Sequence, residues 1–260
     1  MRPVDVVLPT YLTQYRHVEM TLRFLATLYA TAPHARLIWV DNGSGQASNA
    51  IRDWLRADGR PFVDCPQGEN LGFPKAVNIG LRKSDAPYIL IANNDVTVMP
   101  GAVQGLQGVL NAQPDCAIVG PVSNSGWQDW ANLERYIGLA GLQALGRREE
   151  YADKAAWLAS AYGDQSVAVC MVAFFFVMLT RATLGQVGLL DEGYGLGFGE
   201  DDDWCDRARR IGREVRLALG SFVIHDHRAT WSDIMPAEDL AALQQRSAER
   251  LEQRRAGGFS

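Results

Sequence analysis

Apolar residues recur along this chain in two periods, and the two alternate. Val4 to Leu8 is a continuous apolar run of strand length, closed by Pro9-Thr10-Tyr11. Such a run suits a strand covered on both faces. From Val18 to Tyr29 the spacing changes, and Val18, Leu22, Leu25 and Leu28 fall on one face of a helix. Leu37 to Val40 predicts a second strand, Ser48 to Arg56 a helix with Ile51 and Leu55 inward, and Pro61 to Cys65 a short third strand. Pro74 to Leu81 predicts a helix with proline in its first turn. Tyr88 to Ala92 predicts a fourth strand. Strands alternating with helices imply an α/β domain, with a mostly parallel central sheet and helices on both faces.

The pattern continues with a helix from Gly101 (Val103, Leu106, Val109, Leu110) and a strand from Cys116 to Val119. Ser123 to Tyr162 is less regular and carries Trp127, Trp130, Tyr136, Trp157 and Tyr162, expected as an acceptor-side insertion or as core and lid packing. Val167 to Leu179 predicts a strand pair, and Val215 to Leu219 and Ser221 to Ile224 read as strands. Pro236 to Arg255 predicts an amphipathic helix (Leu240, Leu243, Leu251) that packs on the domain or on a second subunit.

Polar residues collect where the strands stop: Pro9-Thr10-Tyr11, Asp41-Asn42-Gly43-Ser44 and Asn93-Asn94-Asp95. Each cluster alone is also ordinary turn chemistry. In a parallel sheet the three share one edge, where open α/β sheets bind ligands. Asp41 suits a base N–H or a ribose hydroxyl, and Asp95, flanked by amides, suits a hard cation carrying a phosphorylated ligand. Neither G-x-G-x-x-G nor G-x-x-x-x-G-K-[ST] follows a strand, so phosphates must be met by metal and side chains. In Glu69 to Leu81, Gly72 permits a close approach, and Lys75 and Asn78 share a helix face that suits a diphosphate or the Asp95 loop. Four glycines between Gly193 and Gly199 precede Glu200-Asp201-Asp202-Asp203, which opens a helix. The helix dipole favours their anions, while mutual repulsion raises at least one carboxyl toward useful basicity.

These motifs, Val6 to Tyr11, Val40 to Ser44, Asn70 to Phe73 with Asn78 to Gly80, and Asn93 to Asp95, resemble in content and order those of family 2 glycosyltransferases. Gly199-Glu200-Asp201 followed by Asp203-Trp204-Cys205 resembles the family's E-D motif. The resemblance implies the GT-A fold, a single Rossmann-like domain over residues 1–235. Residues 1–121 would form the nucleotide-sugar half, 122–235 the acceptor and catalytic half, and 236–260 a helix and tail. It implies that Thr10 and Asp41 hold the nucleoside, with Pro9, Tyr11, Asn70, Gly72, Lys75, Asn78, Asn93 and Asn94 around the donor. Asn93-Asn94-Asp95 stands where the family has D-x-D, leaving Asp95 as the metal carboxylate. Asp201, with Glu200 beside it, is implied as the base that deprotonates the acceptor. His225, five before Thr230, is implied as a metal or diphosphate ligand, with His227 the weaker candidate. The expected activity is metal-dependent transfer, with inversion, from a nucleotide diphosphate sugar to a carbohydrate or lipid-linked acceptor, as in polysaccharide biosynthesis. An imidazole among oxygen ligands suits Mn2+; Mg2+ is the alternative. A nucleotidyltransferase and a non-catalytic sugar-nucleotide-binding module are the competing readings.

Composition narrows the partners. A formal net charge of -5 argues against nucleic acid. Cys65, Cys116, Cys170 and Cys205 form no C-x-x-C pair and read as reduced thiols of a cytosolic protein. Val6 to Leu8 is too short for a signal-peptide core and Val167 to Leu179 too short to span a bilayer. A cytoplasmic protein with room for peripheral membrane contact is expected.

Overall fold

A computed structural model of the protein describes residues 3–124, 151–226, 233 and 235–257. Trp127, Trp130, Tyr136 and His227 to Thr230 lie outside the described residues. One mixed sheet runs in the order β3-β2-β1-β4-β8-β6-β9-β5, with β7 paired to β9. Its strands are β1 (Val4–Thr10), β2 (Arg36–Asp41), β3 (Phe62–Asp64), β4 (Tyr88–Ala92), β5 (Val96–Val98), β6 (Cys116–Ser123), β7 (Ser166–Val169), β8 (Phe176–Thr180) and β9 (Glu214–His225). The helices are α1 (Tyr15–Thr31), α2 (Ser48–Asp58), α3 (Phe73–Lys83), α4 (Ala102–Ala112), α5 (Tyr151–Tyr162), α6 (Arg181–Val187), α7 (Glu200–Arg210) and α8 (Ala237–Gly257).

Strand period 2 divides the core into two layers. Val6, Leu8, Leu37, Trp39 and Leu90 face Phe24, Leu25 and Leu28 of α1 and Val103 and Leu106 of α4. Val7, Ile89, Ile91, Val177 and Leu179 face Val77 and Leu81 of α3, Leu184 of α6 and Trp204 and Cys205 of α7. Every β1 residue is buried, as the unbroken apolar run requires. Buried Asp5 at its start takes a bidentate bond from Arg36 at 2.8 Å and bonds from the Ser84 hydroxyl and the Asp85 and Ala86 N–H groups. Burial works to raise this carboxyl, but those donors outweigh it and hold it below its ordinary value.

The sheet is parallel across β3, β2, β1 and β4. Beyond β4 it alternates, antiparallel at β4–β8 and β8–β6, parallel at β6–β9, and antiparallel again at β9–β5. Two features depart from the sequence pattern. Val96–Val98, between the strand at Tyr88 to Ala92 and the helix from Gly101 that the pattern predicts, forms a further strand, β5, against β9. The two runs on either side of Gly220 form one strand, β9, with a register shift against β6 between Pro121 and Val122. A Cβ at Gly220 would collide with the Gly163 carbonyl, so glycine lets the turn after α5 cross the strand closely. β6 spans the 121/122 boundary of the two expected halves.

Candidate active site

The polar ends of β1, β2 and β4 do meet along one edge, and they open on a cavity of about 880 Å³. That is within the size range of small-molecule sites. Pro9, Thr10, Tyr11, Asn42, Asn70, Asn93, Asn94, Asp95, Glu200, Asp201 and His225 line it together.

Register brings Asp95 and His225 together. Val96 of β5 pairs with His225 of β9, so the residue before Val96 lies beside the imidazole. Asp95 Oδ1 is 3.4 Å from His225 Nε2. That oxygen is buried without a hydrogen-bond partner among the described residues, an unusual state for a carboxylate and one that calls for a cation or ligand. The Asp226 N–H bonds the Asp95 carbonyl at 2.9 Å, and the His225 ring stacks on Phe175 at 4.2 Å between centroids. The donor set suits an oxygen-preferring divalent cation with one imidazole, completed by phosphate oxygens or water. Among the described residues no cluster of three or more His, Cys, Asp or Glu could hold a metal by itself.

Asp201 enters from the opposite wall. Gly199, at φ 84°, turns the glycine-rich loop into α7, a backbone state that favours glycine. The Asp201 carboxylate accepts backbone N–H bonds from Phe174 and Asp202. Burial, then the charge of Asp202, pushes Asp201 up to about 6. Burial, then Asp201, raises Glu200 well above its usual range, and its Oε2 is buried with no hydrogen-bond partner among the described residues. Burial raises Asp202 as well. Asp203 is fully buried and ion-paired to Arg207 at 2.8 Å and to Arg254 of α8.

Other expected site residues serve the walls. Thr10 accepts a bond from the Trp39 indole at 2.9 Å. Asp41 does not line the cavity; it accepts from Arg52 at 2.8 Å and from the Ser44 N–H at 3.0 Å, holding the turn that carries Asn42. Asn42 donates to Asn70 at 2.8 Å and accepts from the Leu71 N–H at 3.0 Å, tying the β2 rim to the loop before α3. Asn94 donates to Thr21 at 2.9 Å. Gly72, at φ 83°, abuts Gly195, where any Cβ would collide with the carbonyl, and the Phe73 N–H bonds Leu196 at 3.0 Å. Lys75 is exposed, and neither it nor Asn78 lines the cavity. Asn78 spends its amide on Leu190 and Glu192, so it anchors the acid-bearing loop rather than the Asp95 loop.

Sequence reasoning passed over three parts of the lining. Phe174 and Phe175, before β8, join the two walls: one presents its N–H to Asp201, the other its ring to His225. Phe198, in the glycine-rich loop, holds φ 70°, the one positive φ among the described non-glycine residues. Leu240, Gln244, Ser247, Ala248, Leu251 and Arg255 of α8 close one side. Their i, i+4, i+7 spacing was legible as a helix face, but not what that face would cover. Trp157 and Tyr162 pack edge to face on α5 and do not line the cavity.

Known proteins resemble this chain in sequence and in fold. The sequence model of the family described as Glycosyl transferase family 2 matches residues 5–174. An N-acetylglucosaminyl-diphospho-decaprenol L-rhamnosyltransferase of Mycobacterium tuberculosis is 27% identical over 91% of this chain and 81% of its own length. A galactofuranosyl glycosyltransferase of Leishmania donovani is 24% identical over 76% of this chain and 52% of its own. Among solved structures, GalNAc-T7 with UDP, GalNAc and Mn2+ superposes at a TM-score of 0.66 with 12% identity, over 86% of this chain. The mannosyltransferase PcManGT of Pyrobaculum calidifontis with GDP-Man and Mn2+ does so at 0.61 with 18% identity, over 88%. The chain spans 44% and 59% of those two solved chains, and the likeness establishes the GT-A fold. With its motifs in family order and the family's sequence model matched over most of its length, this chain belongs to glycosyl transferase family 2 and is a glycosyltransferase.

Proposed function

We propose that the protein transfers a sugar, with inversion at C1, from a nucleotide diphosphate donor to a hydroxyl acceptor. The observation that carries the reading is the convergence on one cavity of the Asp95–His225 pair and, from the other wall, Asp201 raised to about 6. The nucleotide and Mn2+ named for the two superposed structures support a nucleotide-sugar donor and a divalent metal.

In this reading residues 1–121 bind the donor, with Thr10, Asn42 and Asn70 along the nucleoside side. Asp95 and His225 would hold Mn2+ or Mg2+, which when bound supplies positive charge to the leaving diphosphate. Asp201, ionised above its raised value, takes the proton from the acceptor hydroxyl. The acceptor oxygen then forms its bond to C1 as the bond from C1 to the diphosphate oxygen breaks, and the nucleoside diphosphate leaves. The mycobacterial relative's name supports a lipid-linked acceptor, and the apolar positions Leu240, Ala248 and Leu251 of α8, with Met171 and Phe174, suit one with an apolar portion. No helix among the described residues is long and apolar enough to cross a membrane; in this reading a lipid-linked acceptor is met at a bilayer surface.

Asp201→Asn is expected to lower transfer by roughly 10²–10⁴-fold, the usual contribution of a positioned base, while nucleotide-sugar binding persists. Full transfer by that variant sinks the base assignment.

A further inference from the structure

Glu200 is 6% exposed and lines the cavity, and its Oε2 has no hydrogen-bond partner among the described residues. Its charged surroundings are one-sided. Asp201, Asp202 and Asp203 follow it on α7, and Asp95 stands across the cavity beside His225. The arginines that face this turn from α7 and α8 are paired with other acids: Arg207 and Arg254 with Asp203, Arg209 and Arg255 with Asp206, and Arg250 with Asp191. The start of a helix favours an anion only weakly compared with the cost of burying an unpaired one.

We propose that Glu200 is a substrate-positioning residue that works as a neutral acid, donating a hydrogen bond from its carboxyl group to a sugar hydroxyl oxygen held beside Asp201. Burial and the charge of Asp201, which raise the Glu200 carboxyl well above its usual range, agree with this. The two neighbouring carboxyls then divide the work. Asp201 accepts the proton of the attacking hydroxyl, and Glu200 donates to an oxygen next to it, a pairing set by environments that push two acids apart. This inference rests on the reading of Asp201 as base.

The test uses the full chain with Glu200→Gln, Glu200→Ala and Asp201→Asn. Carboxylate carbon NMR of the wild type between pH 4 and 8 is expected to show Glu200 keeping its proton to higher pH than Asp201, which titrates near 6. In Glu200→Gln, which keeps a donor and the shape, Asp201 should titrate at the wild-type pH. If Glu200 were ionised, removing its charge would move Asp201 to lower pH, and that result overturns the proposal. Transfer to octyl glycosides as acceptors is followed with whichever of the UDP-, GDP- and dTDP-sugars the wild type uses fastest. Glu200→Gln should exceed Glu200→Ala by about tenfold, the loss of one hydrogen bond to substrate; Gln as slow as Ala overturns the proposal. An Asp201→Asn variant that keeps full transfer refutes the base reading, while the Glu200 titration of the wild type and the comparison of Glu200→Gln with Glu200→Ala still decide the Glu200 role, so the two failures are distinguishable.

Discussion

Asp201 joins catalysis to a cost in stability. Because burial and Asp202 hold it at about 6 in the folded protein, against an ordinary 3.8, the native state retains a proton that the unfolded chain has released. The resulting destabilisation is absent below pH 3.8, grows between there and about 6, and is complete above. Asp201→Asn, which cannot ionise, is therefore expected to raise Tm at pH 8 and to lose that gain at pH 3.5, as calorimetry at the two values would show. The same titration predicts that transfer falls about tenfold per unit as pH drops below that value, read as the acid limb of kcat/KM. Phe198 also departs from the usual backbone preference, at φ 70° in the cavity wall, and such outliers cluster at functional sites.

Among the elements, α8 has the most to do for its position in the chain. It is fastened by its arginines: Arg250 grips Asp191 at 2.8 and 2.9 Å, Arg254 reaches buried Asp203, and Arg255 pairs with Asp206. Burial works to raise Asp191, but the Gly193 N–H and the guanidinium of Arg250 outweigh it, and its value is lowered. This fastening is thus present above the ordinary carboxylate range and lost as pH falls through the lowered value. Arg254→Ala leaves Asp203 buried with Arg207 alone. It is expected to cost about 3 kcal/mol, the low end for removing one member of a buried pair, measured by urea unfolding. A loss no larger than that of an exposed arginine would mean that the pair contributes little. α3 holds the opposite side through Gly72 against Gly195 and Asn78 against Leu190, so two helices set where α7 starts.

For the molecule as a whole, the sheet's change from parallel to mixed creates the cavity. Four parallel strands present one polar edge; beyond β8, β6 and β9 run in the same direction as β4, so β9 ends with His225 at that edge, and β5, running back against β9, sets Asp95 beside it. Ligands that bind only the folded state raise its stability, by about 2.7 kcal/mol at one hundred times Kd. Mn2+ together with the matching nucleoside diphosphate is therefore expected to raise Tm, and His225→Ala to remove most of that increase. An equal shift in the variant would separate His225 from metal and diphosphate.

Much of this was readable in the chain itself. The periods of Val4 to Leu8, Val18 to Tyr29 and Tyr88 to Ala92 set strand or helix by local geometry alone, and the polar residues closing each strand named one edge of the sheet. The E-D pair after the glycines was equally visible, since it lies within one stretch of sequence. What had to await the fold depended on contacts between distant segments. The joining of Gly220's two flanks into one strand, the β5–β9 register that sets Asp95 beside His225, and the seating of α8 against the acids of α7 are all of this kind. Asp41 and Asn78 show the same limit, because a polar side chain near a site serves ligand or scaffold according to which partner tertiary packing brings within reach.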